Sequence, residues 1–234
     1  MQATPRVAVV GAGFVGAEVA STASGLGLEV AVIDTAPVPL EHVLGREVGE
    51  LLAARYRNEG VQLHLGAGVT GFASRLDGRV RAVILDDGLE IACDAVVVGI
   101  GTVCKPIATD EYGRTRVENV YACGDVASAW RPRLGRRVRC EHWTSAAGQG
   151  AAVARTILGD SLPFDEVPYF WSDQFGLRLQ HVGDAEGFAA VTLDGEGDCF
   201  RARYVDHEGR LLAVLLANRP HDVGSVRREL AAAA

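Results

Sequence analysis

Three glycines, Gly11, Gly13 and Gly16, stand at Gly-x-Gly-x-x-Gly spacing in VAVVGAGFVGAEVA, between an apolar run and a run of small residues. This pattern seats a phosphate-bearing ligand. Gly11 permits a tight turn, Gly13 lets a pyrophosphate approach the backbone, and Gly16 lets a helix lie close to the strand before it. The start of that helix offers N–H groups and partial positive charge to an anion. Eighteen residues after Gly16, Asp34 closes the next apolar run, where its carboxylate can accept hydrogen bonds from ribose hydroxyls. The same carboxylate would repel a 2′-phosphate, and Thr35-Ala36-Pro37 bring no arginine. The pattern therefore favours NADH over NADPH.

The elements that must position these residues read as β-α-β. Arg6–Val10 is an apolar strand, Phe14–Leu26 a helix and Glu29–Ile33 a second strand. Gly45–Glu59 has an apolar stripe of Val48, Leu51, Leu52 and Tyr56 and reads as an amphipathic helix, followed by a strand over Val61–Leu65. Asp77-Gly78 and Asp87-Gly88 are turn signals between alternating stretches and predict an antiparallel meander. DAVVVGIG is a buried strand ending in Gly99, Ile100 and Gly101. Thr102–Asn119 has little pattern. VYACGDVASAW predicts an apolar strand ending at Gly124-Asp125, and EHWTSAAGQGAAVARTILG a loop and helix. Beyond Leu162 the chain is aromatic and turn-rich, with a hairpin about Glu208-Gly209 and a last helix from near Asp222.

At 234 residues, 48% hydrophobic and 23% charged, the composition is that of an ordinary globular chain, with room for one large domain or two to three small ones. No apolar run approaches the ~20 residues of a membrane span, and no secretory signal is read, so a cytoplasmic setting is expected. The net charge of -7 argues against general affinity for nucleic acid or anionic lipid. Cys93, Cys104, Cys123, Cys140 and Cys199 form no Cys-x-x-Cys pair. The histidines (42, 64, 142, 181, 207 and 221) show no metal-ligand spacing, so no metal is expected. Asp125, His142 and Ser145 lie close in sequence but lack a nucleophile elbow. Arg131, Arg133, Arg136, Arg137 and Arg139 concentrate positive charge in an acidic chain.

Together these stretches resemble the rubredoxin/ferredoxin reductase family of NADH-dependent FAD flavoproteins. VVGAGFVGAEVA, VIDTAPVPL and VVVGIG resemble the family's NADH domain. VYACGDVA with CEHWTSAAGQG is similar to the second half of its FAD domain, and VPYFWSDQFGLRLQHVG to the opening of its C-terminal domain. The resemblance implies an α/β protein: a Rossmann-like NADH-binding domain over 1–102, part of an FAD-binding domain over 103–161, and a small α+β C-terminal domain over 162–234. It implies that Gly11, Gly13, Phe14, Val15, Gly16 and Glu18 line the pyrophosphate and nicotinamide side of NADH. Asp34 would hold the adenosine ribose, and Gly99, Ile100 and Gly101 would close over the dinucleotide. Asp125, within Gly124-Asp125-Val126, would contact the ribityl and pyrophosphate part of FAD, and Trp143 would sit against the flavin. Trp171 would lie near the ring on which nicotinamide stacks. The arginines would steer an acidic [2Fe-2S] ferredoxin or a rubredoxin toward the flavin.

The family also carries a βαβ unit with its own glycine loop for the ADP half of FAD, and this sequence contains only the NADH loop. The chain therefore reads as a shortened reductase whose hold on FAD is weak or depends on a partner chain or homodimer. Two readings stay open: an NADH-dependent reductase passing electrons through FAD to an iron–sulfur ferredoxin, or a flavin-less NADH- or partner-binding protein without independent reductase activity. A flavin-free NADH oxidoreductase ranks last, because no Tyr-x-x-x-Lys pair or other proton relay is present.

Overall fold

The computed structural model describes residues 4–232 except Cys104 and Ser161, so one of the five cysteines lies outside the described residues. The chain divides into two compact units. The first is Met1–Gly101 with Ser172–Arg178, and the second is Thr102–Trp171 with Leu179–Ala234.

The first unit opens with β1 (Arg6–Val10), α1 (Phe14–Gly25), β2 (Glu29–Asp34), α2 (Glu41–Asn58) and β3 (Gln62–Leu65). It continues through the meander β4 (Val69–Ser74), β5 (Val80–Leu85) and β6 (Glu90–Ala92), and returns as β7 (Ala95–Val98). The parallel sheet has the order β3-β2-β1-β7. Its central strand β1 is apolar because both neighbours and both faces exclude water, and Ala8 and Val9 are buried. One face packs on the meander through Ala8, Ala31, Ile33, Val83, Leu85, Ile91 and Cys93. The turn signals hold, with Gly78 and Gly88 at φ 83° and 85°, a region glycine enters without steric cost. Helix α2 starts earlier than the apolar stripe predicts. Glu41–Leu44 form a preliminary turn, and Gly45, at φ 79° and ψ 168°, breaks it before the regular helix begins.

The second unit contains β8 (Ile107–Thr109), β9 (Ala127–Arg131), β10 (Arg136–Val138) and α3 (Trp143–Ile157). The aromatic segment is the hairpin β11 (Tyr169–Gln174) and β12 (Leu177–Gly183), of which Ser172–Arg178 belong to the first unit; then follow β13 (Ala190–Glu196), β14 (Cys199–Val205), β15 (Leu211–Ala217) and α4 (Val223–Ala232). The turn of the first hairpin is Phe175-Gly176, both at positive φ, as a two-residue hairpin with matching twist requires. Strand order in the larger sheet is β11-β12-β15-β14-β13, and α4 seals it through Val226 and Leu230 against Val182, Val214 and Leu216.

The strand expected to end at Gly124-Asp125 is displaced. Tyr121 makes only an isolated bridge to Arg114, and Gly124–Val126 form a 3-10 turn with Gly124 at φ 75°. The strand β9 begins after that turn. β8, inside the weakly patterned stretch, pairs parallel with it.

Candidate functional site

In the first unit the glycine loop is fixed by close backbone contacts. A Cβ on Gly11 (φ +105°) would stand 2.3 Å from the Gly99 carbonyl oxygen, and one on Gly16 would stand 1.9 Å from the Gly11 carbonyl oxygen. These two glycines let loop, helix and β7 meet. Gly13 differs, because a Cβ there would meet nothing within 4 Å. Its requirement is therefore not imposed by the protein's own packing. Gly13 is the N-cap of α1, and no side chain caps that helix start.

The end of β2 is tied to this loop. The Asp34 carboxylate accepts the Ala12 N–H at 2.5 Å through one oxygen and the Ala36 N–H at 2.7 Å through the other. Each oxygen keeps a further lone pair for another donor. Around these groups lies a cleft of about 610 Å³, with Gly11, Gly13, Asp34, Gly99, Ile100 and Gly101 in its lining. An uncapped helix start beside a fixed carboxylate suits a ligand carrying both phosphate and vicinal hydroxyls.

The remaining expected residues lie outside this cleft lining. Gly16 is buried behind the loop, Phe14 is half-buried, and Val15 and Glu18 are exposed on α1. Glu18 accepts a hydrogen bond from the Ser172 hydroxyl at 2.6 Å. Sequence reasoning missed Leu40, Glu41 and His42, which line the cleft before the break at Gly45. Leu40 sits at φ 58°, a conformation with no signature in a leucine.

In the second unit, Gly124 donates its N–H to Gln149 Oε1 at 3.0 Å, and Gln149 Nε2 donates to Ser145 Oγ at 3.1 Å. These bonds hold the Gly124-Asp125-Val126 turn to α3, and leave Asp125 exposed. Trp143 opens α3 with 75% of its surface exposed. Its ring meets Trp171 edge-on at 6.2 Å, so the structure brings the two tryptophans together. Beneath them His142 stacks on Phe170 at 4.0 Å, and Phe170 on His181 at 4.8 Å. His181 is buried, and neither ring nitrogen has a hydrogen-bond partner among the described residues. Burial, reinforced by neighbouring His142, pushes its pKa down to about 3. Burial also lowers His142, against the opposing pull of Asp125 and Glu141.

The arginine cluster needs a correction. Arg131 is 3% exposed, stacks over Phe164 and donates to the Phe164 carbonyl, so it presents no charge to a docking partner. Arg136 pairs with Asp184 and Glu186, and Arg139 with Glu141. Arg137 donates only to neutral carbonyls, of Thr109 and Ser128, and the Arg133 guanidinium to that of Ala231. Among the described residues neither side chain forms an ion pair; Arg137 is exposed, whereas the Arg133 Nε is buried. Among the described residues no cluster of three or more His, Cys, Asp or Glu could hold a metal, and no helix is long and apolar enough to cross a membrane.

A family model, pyridine nucleotide-disulphide oxidoreductase, matches residues 1–150. The chain belongs to that family. A second model, reductase C-terminal, matches residues 169–234 of this chain. The ferredoxin reductase component of chlorobenzene dioxygenase from Cupriavidus sp. (strain PS12) is 36% identical, over 95% of this chain and 57% of that protein. Rubredoxin-NAD(+) reductase of Ectopseudomonas oleovorans is 32% identical, over 94% of this chain and 60% of that protein. A crystal structure of the covalent putidaredoxin reductase–putidaredoxin complex superimposes with a TM-score of 0.91 at 31% identity, covering 97% of this chain and 58% of that one. The chain thus spans a little over half the length of the relatives it matches.

Proposed function

We propose that this oxidoreductase is of the ferredoxin-reductase type, passing electrons from NADH through FAD to an iron–sulfur ferredoxin or rubredoxin of an oxygenase or P450 system. The observation that carries the reading is the cleft at the glycine loop, where open space at Gly13 faces the Asp34 carboxylate. Gly11, Gly13, Phe14, Val15 and Gly16 take the pyrophosphate side, Asp34 the ribose, and Gly99, Ile100 and Gly101 the closing wall. Asp34 disfavours a 2′-phosphate, which sets the preference for NADH.

The residues of the second unit fit a flavin in chemical type. The exposed Trp143 ring offers a flat apolar wall, and the Gly124-Asp125-Val126 turn, whose Gly124 N–H is already given to Gln149, offers the exposed Asp125 carboxylate. When bound, FAD would turn a two-electron hydride donor into two one-electron steps. The chain's own task is alignment, because hydride transfer between stacked rings needs orientation more than acid–base help. Trp171 supplies an aromatic surface for the nicotinamide, and Glu18 a carboxylate on the nicotinamide side. Arg133 and Arg137 steer an acidic ferredoxin. The division 1–102, 103–161 and 162–234 remains our functional partition of the chain.

The test is an anaerobic titration of the purified chain with FAD and then NADH, followed by a ferredoxin or cytochrome c. A retained flavin band that bleaches with NADH and recovers with acceptor supports the proposal. NADH binding without flavin retention would replace it with a dinucleotide-binding chain that lacks independent reductase activity.

A further inference from the structure

The first unit contains a line of hydrogen bonds that ends on Glu18. The Ser172 hydroxyl donates to Glu18 Oε1 at 2.6 Å, Gln174 Nε2 donates to Ser172 Oγ at 3.1 Å, and the Tyr56 hydroxyl donates to Gln174 Oε1. Ser172, Gln174 and Tyr56 are all buried. The polarity of the line follows from its chemistry. The Ser172 hydroxyl has a single O–H, which goes to Glu18, so toward Gln174 it accepts from the amide. That orients the amide with Oε1 toward Tyr56, which must donate. Burial raises the Tyr56 phenol well above its ordinary pKa, so it keeps this proton.

The line is held from outside as well. Ser21, one turn beyond Glu18 on α1, accepts the Phe175 N–H at 2.7 Å. Arg55 Nε donates to the Phe175 carbonyl at 2.9 Å, and the Phe175 and Tyr56 rings lie 4.4 Å apart. The hairpin turn is thereby pinned to both helices of the unit, and Ser172 has one place relative to Glu18. Glu18 itself is exposed and would otherwise sample several rotamers at an entropic cost to any ligand it meets.

We propose that Ser172, backed by Gln174 and Tyr56, is a positioning residue that tethers one oxygen of Glu18 and keeps the other ready for an N–H donor at the nicotinamide end of the dinucleotide. This rests on the reading of the unit as an NADH site. The carboxamide of nicotinamide is the donor of matching chemistry. ADP-ribose, which lacks that group, does not benefit from the tether.

The experiment titrates the full chain with NADH and with ADP-ribose, in the wild type, Ser172→Ala, Glu18→Gln and the double variant. The expected result is tighter binding of NADH than of ADP-ribose by the wild type. Ser172→Ala should weaken NADH about tenfold and leave ADP-ribose unchanged. The losses for Ser172→Ala and Glu18→Gln should not add in the double variant, since one acts through the other. Equal loss of both ligands, no loss, or full additivity would overturn the tether. Should Ser172→Ala fail to fold, Tyr56→Phe, which keeps the ring, is expected to give a smaller loss confined to NADH, and no such loss overturns the proposal. A wild type that binds both ligands equally sinks the tether and leaves the dinucleotide site standing. A wild type that binds neither sinks the NADH reading itself.

Discussion

The Asp34 carboxylate accepts the Ala12 N–H at 2.5 Å, joining the end of β2 to the centre of the glycine loop. The residue proposed to discriminate the ribose thus also shapes the glycine loop. Asp34→Asn retains the side-chain carbonyl but loses the charge and half of its accepting capacity. NADH affinity should fall about tenfold, and the preference over NADPH should narrow, because the repulsion of a 2′-phosphate is gone. Parallel titrations with the two nucleotides check this. An unchanged preference would locate discrimination elsewhere, with Glu41 and His42 the next residues to vary.

Gly13→Ala and Gly16→Ala separate ligand space from protein packing. The Gly16 Cβ would drive into the Gly11 carbonyl oxygen, so the expected cost is about 1–3 kcal/mol of stability or more, read by urea unfolding. The Gly13 Cβ meets no protein atom, so stability should change by less than about 1 kcal/mol. In the proposed NADH site the new methyl would stand in the path of the pyrophosphate, so NADH affinity of the Gly13 variant should nevertheless drop about tenfold. A Gly13 variant with normal affinity would move the pyrophosphate away from this loop.

The buried His181 gives the fold a pH dependence of definite sign. Its folded pKa, about 3, lies below the unfolded value of about 6.5, so between these limits the unfolded chain binds a proton that the folded chain does not. Stability is fully present above pH 6.5 and declines as pH falls, with a slope of about 1.4 kcal/mol per unit from this group. His181→Phe keeps an aromatic ring between Phe170 and Tyr204 and should flatten the curve between pH 5 and 7. Unfolding measurements across that window decide it, and an unaltered slope would assign the dependence to His142 or another group.

For the second unit, Arg137→Glu should slow reduction of an acidic ferredoxin several-fold at low ionic strength. The gap should close as the Debye length shrinks from about 30 Å at 0.01 M to about 3 Å at 1 M salt. Arg131→Ala should instead weaken folding, through loss of its contact with Phe164, and show no such salt dependence. Stopped-flow rates over a salt series distinguish the two. Equal rates for wild type and Arg137→Glu at low salt would remove Arg137 from docking.

Local chemistry made the dinucleotide unit legible. The spacing of Gly11, Gly13 and Gly16, the apolar period of β1 and β2, and the Asp-Gly turns at 77–78 and 87–88 each depend on neighbours within a few residues. What depends on distant partners was not legible. β8 has three residues and exists through its pairing with β9, and β13, almost wholly exposed, is held by its pairing with β14. The stretch before Gly124 has the composition of a strand, but the left-handed glycine and the turn after it move the strand to Ala127–Arg131.

The arginines show the same division. Their charge is a property of the sequence, but only the structure shows Arg131 buried on Phe164, Arg136 and Arg139 paired with carboxylates, and Arg133 and Arg137 left with carbonyls. The sequence by itself determined the glycine loop, its acidic partner Asp34 and the family to which they belong, because turn sterics and strand–helix periodicity are short-range. Tertiary structure alone decided that Ser172 meets Glu18 across 154 positions, because a hydrogen bond of 2.6 Å depends on where the folded backbone brings two distant residues.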